Sequence, residues 1–214
     1  AECGGKEASV VITVSNKVDA GVTITGAPTT TITYGDAAFT LSANAAQTGD
    51  SGIWTWKSSN ENVLQVTPGE NGSATVAVTG AGAADITPSY SSDTTVGSAT
   101  VQLTVNRRTV TITGLTAADK EYDGKTNAIA AGNATLTGVV GDDDVTISSG
   151  SASFADKDVG TGKTVTFTGY GLTGADADNY TLSAQPASVT ASITPKTIGV
   201  TDLAATDRPY NGTT

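Results

Sequence analysis

Residues 108–126 read RTVTITGLTAADKEYDGKT, and residues 196–214 read KTIGVTDLAATDRPYNGTT. The two stretches align without a gap at a constant offset of 88 residues. Tyr122 is matched by Tyr210, and each is followed two positions later by glycine. Self-similarity at a fixed spacing is typical of a chain built from repeated structural units. The second stretch therefore predicts that a new repeat begins at residue 196.

Three short strand-like segments divide the rest of the chain into modules. Residues 8–14, 99–105 and 187–193 resemble one another, and a basic side chain follows each of them. We interpret them as the closing strands of successive modules. The predicted divisions are a closing strand of a preceding module or a lead-in strand at 1–17, complete modules at 18–106 and 107–195, and a truncated first strand of the next repeat at 196–214. Each complete module has about 89 residues, which is the size of one β-sandwich domain.

The pattern within the modules is that of strands and turns. Runs rich in Val, Ile and Thr are separated by Gly, Asn, Asp and Pro, which favour turns. The predicted strands are 22–25, 39–43, 53–58, 63–67, 73–79, 84–90 and 99–105, then 109–113, 133–137, 145–149, 151–154, 164–168, 180–182 and 188–193. Only the alanine-rich residues 128–134 favour a short turn of helix. The predicted fold class is all-β, as tandem immunoglobulin-like β-sandwich modules.

Two tryptophans mark the expected core of the first module. Trp54 and Trp56 stand two residues apart in a predicted strand, which places both on one face of a sheet. We expect the pair to fill the space between two sheets. The alternative is an exposed platform on which a carbohydrate stacks. Lys57 is the lysine expected closest to a core, and it is the candidate for an internal Lys–Asn isopeptide crosslink.

Charge and composition argue against several classes of function. The chain has 11 basic and 21 acidic residues, a net charge of −10, which nucleic acid and anionic membrane surfaces would repel. It has no histidine, and Cys3 is its single cysteine. The usual general base near neutral pH is therefore missing, and no internal disulfide can form. We expect no enzyme, no nucleic-acid partner, and no membrane insertion by this segment.

Residues 54–66 read WTWKSSNENVLQV, which combines a tryptophan, a Ser-Ser-Asn turn and a Val-x-x-Val strand. This pattern resembles the bacterial immunoglobulin-like domains of group 2, the type found in invasin-like and intimin-like surface proteins. The resemblance covers roughly residues 22–105. It implies an extracellular module of β-sandwich fold in the first half of the chain.

The second module carries a more specific pattern. Tyr122-Asp123-Gly124 is followed by DKDVG at 156–160, VTFTG at 165–169 and GADADNY at 174–180. This set resembles the YDG repeats of large Firmicutes surface proteins, over about residues 107–195. The two resemblances imply an extracellular segment on the bacterial cell surface or secreted from it, and they bring no catalytic residues. We expect the export signal and the wall anchor to lie outside this sequence.

Acidic turns of the second module are the candidate metal site. Calcium favours carboxylate and carbonyl oxygens gathered from flexible loops, although aspartate also populates turns by bonding the local backbone. If the turns meet at one end of the module, the candidate calcium ligands are Asp142, Asp143, Asp144, Asp156, Asp158, Asp176 and Asp178. No other cofactor is expected.

The expected function is that of a non-catalytic stalk or spacer in an adhesin-like surface protein. Its partners would be the neighbouring repeats of the same chain. The alternative is an adhesive module that binds a host or matrix protein or glycan. A third reading is a non-catalytic module attached to a large secreted hydrolase.

Tyr122-Asp123-Gly124 is interpreted as a tight turn whose tyrosine packs on the sheet, since Asp-Gly tolerates a positive φ.

Overall fold

The computed structural model describes residues 16–47 and 51–212. Its regular structure is strand throughout these ranges, apart from a 3-10 turn at Ala177–Asn179. The fold is all-β, as the sequence predicts. The strand predicted within 1–17 lies outside the described residues, except for residues 16 and 17.

The chain forms two compact units. The first comprises the described residues up to Val110 together with Gly138–Val145 and Thr173–Thr181. The second comprises Thr111–Thr137, Thr146–Leu172 and the chain from Leu182 onward. Two segments of the predicted second module therefore belong to the first unit. The module boundaries at 106/107 and 195/196 stay predictions.

The first unit contains two sheets. One has the strand order β2-β4-β7-β6, and the other has the order β1-β9-β8-β10-β3 with β5 paired to β8. The strands are β1 (Val18–Asp19), β2 (Val22–Thr25), β3 (Ile32–Thr33), β4 (Phe39–Ala45), β5 (Ile53–Ser58), β6 (Leu64–Pro68), β7 (Ser73–Val78), β8 (Gly82–Ser91), β9 (Thr95–Ser98) and β10 (Val101–Asn106).

Alternation of side chains produces the core of this unit. Along β8, Ala84, Ile86, Pro88 and Tyr90 are buried, whereas the residues that alternate with them are more exposed. Leu41 and Val76 of the other sheet are fully buried. Each sheet thus buries one face, which is the pattern of a sandwich.

Both tryptophans of β5 lie on the face predicted for them. Trp56 is buried, and half-buried Trp54 packs on Tyr90 with 5.0 Å between the ring centroids. The expectation that Lys57 lies close to a core is wrong. Lys57 is exposed because it falls between the inward-facing positions of the strand.

Pro88 lies inside β8, although proline cannot donate to a strand ladder. The neighbour of β8 changes at this point, from β10 at Ile86 and Val101 to β9 at Ser89 and Ser98. The missing N–H therefore falls where the ladder is already interrupted. This accounts for a proline within a strand that has neighbours on both sides.

Strands β11 to β20 form three further sheets, with the orders β14-β11-β19, β12-β20-β17-β16-β13 and β15-β18. Residues 108–110 of β11, Thr173 of β18 and residues 180–181 of β19 fall in the ranges of the first unit, and the other residues of these strands fall in those of the second. The strands are β11 (Arg108–Ala117), β12 (Lys120–Glu121), β13 (Asn127–Ala128), β14 (Ala130–Thr137), β15 (Thr146–Ser148), β16 (Ser151–Phe154), β17 (Gly160–Thr168), β18 (Gly171–Thr173), β19 (Tyr180–Leu182) and β20 (Val189–Thr194). The buried cluster of the second unit consists of Ile112, Ala152, Phe154, Val165, Phe167, Tyr170, Ala191 and Ile193.

The predicted turn of helix at residues 128–134 is wrong. This segment is divided between β13 and β14, because pairing with β16 and β11 outweighs the helix preference of alanine. The register of β11 on β14 shifts between Thr113 and Leu115, where Gly114 has a φ of +82°. A Cβ on Gly114 would lie 2.2 Å from the carbonyl oxygen of Asn133, so this bulge requires glycine.

The described residues from 195 to 212 form no strand, and all of them are exposed. The strand predicted at 196–214 therefore pairs with no sheet edge within these residues. Its sequence still repeats that of β11, which pairs with β14 and β19. No helix among the described residues has the length and apolar character needed to cross a membrane.

Candidate functional site

The candidate site is a cluster of two tyrosines around one carboxylate. The Oδ2 atom of Asp143 accepts hydrogen bonds from the hydroxyls of Tyr34, at 2.9 Å, and Tyr180, at 2.5 Å. The Tyr180 hydroxyl also accepts a bond of 2.9 Å from the Val140 N–H. The tyrosine rings meet edge to face, with centroids 5.5 Å apart. We call Tyr34, Asp143 and Tyr180 the tyrosine–aspartate cluster, and all three belong to the first unit.

Burial makes these bonds significant. Tyr34 is 9% exposed and Tyr180 is 2% exposed, so neither hydroxyl can easily exchange its partner for water. Burial, followed by the hydrogen bond to Asp143, raises the pKa of Tyr34 to about 12. The same two causes raise the pKa of Tyr180. Both hydroxyls therefore remain neutral donors to the carboxylate at physiological pH.

Two turns of the backbone position Tyr34 and Asp143. Tyr34 directly follows β3, and its N–H donates to the carbonyl of Asn106 at 2.9 Å. The Asp36 carboxylate accepts from the Thr33 N–H at 2.8 Å, which closes the turn around Gly35. Asp143 lies in a turn in which its own N–H donates to the Val140 carbonyl at 3.2 Å.

Further contacts surround the cluster within the first unit. Arg108 Nε donates to the Gly138 carbonyl at 2.9 Å, and its Nη1 donates to the Tyr34 carbonyl at 3.4 Å. Asn179 Oδ1 accepts from the Ala81 N–H at 2.8 Å. The unit is therefore connected by side-chain bonds between residues far apart in the chain, on either side of the predicted boundary at 106/107.

The predicted calcium ligands have separate roles in the structure. Asp144 and Asp176 come together: the Asp176 carboxylate accepts from the Asp144 N–H at 2.9 Å, and the Asp144 carbonyl accepts from the Asp176 N–H at 3.1 Å. Asp156 forms an ion pair with Lys163 and accepts from the Asp158 N–H at 2.8 Å. The bond from Asp158 to Asp156 is the local backbone bond that aspartate makes in turns, whereas Asp144 and Asp176 lie 32 residues apart in the chain.

The other acidic side chains do not complete a metal site. Asp142 and Asp178 are exposed, and Oδ2 of Asp143 is occupied by the two tyrosine hydroxyls. Across residues 16–47 and 51–212, no group of three or more acidic, histidine or cysteine side chains is placed to hold a metal ion. Calcium binding by this set stays a prediction.

The Tyr122-Asp123-Gly124 turn is structural, as predicted. Gly124 has a φ of +77°, and Asp123 Oδ1 accepts from the Lys125 N–H at 2.9 Å and from Lys120 Nζ at 2.8 Å. The bond to Lys120, followed by that to the Lys125 N–H, lowers the pKa of Asp123. Tyr122 packs partly buried against the core of the second unit.

Sequence reasoning locates Asp143 but misses its partners. Tyr34 and Tyr180 lie 109 and 37 residues away from it in the chain, so no local pattern connects the three. The spacing of the tyrosines was the one sequence feature that could have indicated the role of Tyr34. Tyr34 precedes Tyr122 by 88 residues, the same interval that separates Tyr122 from Tyr210. A tyrosine at a fixed place in successive repeats points to a role at their ends.

Alkaline pH should weaken the cluster. The raised pKa of Tyr34 means that its contribution is complete below about pH 10, the ordinary tyrosine value, and is lost as the pH approaches 12. We expect absorbance titration of the phenolates to show a late phase that Tyr34→Phe reduces, because the pKa of Tyr180 is raised as well. If all tyrosines of the native chain ionise together near pH 10, the cluster is not formed as described.

Replacing Gly35 should disturb the cluster. Gly35 has a φ of +85°, and a Cβ there would lie 2.6 Å from Cγ2 of Val140. Gly35→Ala therefore adds a clash to backbone strain, and we expect a loss of about 2–4 kcal/mol. Gly124→Ala is the matched control, since its φ is +77° but nothing lies within 4 Å of the added atom. Its cost should be about 1 kcal/mol from strain alone. Equal losses in calorimetry would contradict the contact with Val140.

Comparison with known proteins finds a family match within the chain. The described strands define an all-β chain, and residues 106–188 match the family model of the YDG domain. A solved structure of the Yersinia pseudotuberculosis adhesin InvE is similar at 17% identity, with a TM-score of 0.32, over 73% of this chain and 49% of that chain. This chain thus spans about half the length of that structure. No curated protein matches the chain.

Proposed function

We propose that this chain is a non-catalytic spacer segment of an extracellular, adhesin-like bacterial surface protein. The observation that carries the proposal is the tyrosine–aspartate cluster. Tyr34 of the predicted first module and Tyr180 of the predicted second module donate to the same oxygen of Asp143. The cluster acts as a joint that limits movement between successive modules.

The chemistry of the cluster suits this role. Hydrogen bonds to a carboxylate are about twice as strong as neutral ones, and they depend on direction as well as distance. A chain of modules with freely moving joints would recoil and lose reach, whereas fixed joints preserve its length. Two further bonds cross the predicted boundary between the modules, from Arg108 to the Tyr34 carbonyl and from the Ala81 N–H to Asn179.

The module types support the same proposal. The YDG match covers residues 106–188, and the pattern at residues 54–66 resembles bacterial immunoglobulin-like domains of group 2. We place an immunoglobulin-like module at 18–106 and a YDG-type module at 107–195. The partners in this proposal are the neighbouring repeats of the same chain, on the cell surface or in a secreted protein.

The joint is proposed to need no cofactor. The Asp143 carboxylate already has hydroxyl donors, and the backbone N–H groups of Asp144 and Ala175 bond to the carboxylates of Asp176 and Asp144. We expect the melting midpoint to be the same in calcium and in chelator. A clear rise in calcium would instead support a site at Asp144 and Asp176.

Small-angle X-ray scattering tests the spacer role. We expect the native chain to give one well-defined distribution of interatomic distances, and Asp143→Ala to broaden it because the joint is released. Asp142→Ala is the matched control, since Asp142 is the exposed neighbour in the same turn. Identical distributions for the native chain and Asp143→Ala would rule out a rigid joint at this cluster.

Binding assays separate a spacer from an adhesive module. A spacer should give no saturable binding on glycan arrays and should not increase the attachment of host cells to a coated surface. Saturable binding of the whole chain to a glycan or a matrix protein would favour the adhesive alternative.

A further inference from the structure

The tyrosine of the joint has a structural counterpart in the second unit. In the first unit, β3 pairs in parallel with β10, with Ile32 opposite Val105. The Tyr34 N–H donates to the carbonyl of Asn106, the residue after Val105. In the second unit, β12 pairs in parallel with β20, with Lys120 opposite Ile193.

The register is the same in both units. The Tyr122 N–H donates to the Thr194 carbonyl at 2.9 Å, as the Tyr34 N–H does to the Asn106 carbonyl at 2.9 Å. Each residue of the second set lies 88 positions after its counterpart in the first. Tyr122 therefore occupies in the second unit the place that Tyr34 occupies in the first.

The hydroxyl of Tyr122 differs from that of Tyr34 in one respect. Among the described residues, no hydrogen-bond partner is found for it, whereas the Tyr34 hydroxyl has Asp143. Lys196 stands 88 residues after Arg108, which donates to the Tyr34 carbonyl. The basic side chain of the joint is therefore also repeated, in a segment that is exposed and free of strands.

We propose that Tyr122 is the receiving half of a second joint, and that its partner is a YDG-type repeat that begins at Lys196. In this joint the Tyr122 hydroxyl donates to the carboxylate that corresponds to Asp143, beside the tyrosine that corresponds to Tyr180. Lys196 takes the place of Arg108. The inference rests on the proposed function, because it extends the same joint to the next repeat.

One difference between the turns shapes the experiment. Gly35 leaves room for Val140, and a Cβ there would come within 2.6 Å of it. The residue 88 positions later is Asp123, and the positive φ falls on Gly124 instead. The incoming repeat therefore needs either a smaller side chain at the position of Val140 or a small displacement around Asp123.

The chain itself offers a way to complete the repeat. Residues 196–214 align with 108–126 without a gap, so a copy of residues 127–195 appended after Thr214 makes a full repeat. Two versions are needed, one with the appended copy of Val140 unchanged and one with glycine there. The probe is thermal unfolding of each extended chain and of the original chain, with and without Tyr122→Phe.

We expect a new unfolding transition in at least one extended chain, and a fall of about 4–8 °C in its midpoint on Tyr122→Phe. In the original chain the same substitution should shift no midpoint by that amount. Changing the appended copy of Asp143 to asparagine should abolish the effect of Tyr122→Phe. Tyr170→Phe is the control, since Tyr170 packs on Phe167 in the core and its effect should be equal in both chains.

Two results would overturn the proposal. One is an equal effect of Tyr122→Phe in the original and extended chains when the new transition is present. The other is the absence of a new transition in both extended versions. Neither result affects the coupling of Tyr34 to Asp143 in the original chain, so the proposed spacer function is tested separately.

Discussion

Tyr180→Ala should lower the free energy of unfolding of the first unit by about 4 kcal/mol. The substitution empties a site that is 2% exposed, removes the edge-to-face contact with Tyr34, and leaves the Val140 N–H without its acceptor. The loss combines a cavity with an unsatisfied buried donor. Chemical denaturation followed by tryptophan fluorescence measures it, because Trp54 and Trp56 lie in that unit.

Tyr210→Ala is the control for this substitution. Tyr210 is 94% exposed, so its removal should change stability by no more than about 0.5 kcal/mol. A loss below about 1 kcal/mol for Tyr180→Ala would mean that Tyr180 does not anchor the cluster.

Asp143→Ala should destabilise the first unit by about 3 kcal/mol. The substitution leaves the buried hydroxyls of Tyr34 and Tyr180 without their common acceptor. Asp143→Asn should cost about 1–2 kcal/mol, because an amide oxygen still accepts hydrogen bonds but carries no charge. The loss of stability caused by Asp143→Asn therefore measures what the negative charge of the acceptor contributes, and the additional loss caused by Asp143→Ala measures what the acceptor oxygen itself contributes.

Asp142→Ala provides the comparison within the same turn. Asp142 is exposed, and a surface substitution of this kind should change stability by about 0.5 kcal/mol or less. Equal effects of Asp142→Ala and Asp143→Ala in denaturant unfolding would show that the turn tolerates any change and that the cluster adds nothing.

Local pattern was sufficient for much of the fold. Strands such as β5 and β16 follow from alternation alone, since period-2 patterns place alternate side chains on one face. The two-residue strands β3 and β12 were not predictable in this way. Each exists because it pairs with a strand more than 70 residues away, and two residues carry no period.

The candidate site shows a different limit. Residues 142–144 read as an acidic turn, and the carboxylates of such a turn either bind a cation or accept hydrogen bonds from the local backbone. The structure gives Asp143 two tyrosine hydroxyls instead, which only tertiary contacts could supply. For residues 128–134 the error has the opposite origin, since local helix preference was outweighed by pairing of β14 with β11.

The most direct test of the joint is a double-mutant cycle of Tyr34→Phe and Asp143→Ala, measured by denaturant unfolding of the whole chain. We predict a coupling energy of about 1.5 kcal/mol, because the hydroxyl and the carboxylate share one buried hydrogen bond. The control cycle pairs Tyr34→Phe with Asp156→Ala, whose carboxylate bonds Lys163 instead, and its effects should add within about 0.5 kcal/mol. Additive effects in the first cycle as well would contradict the account.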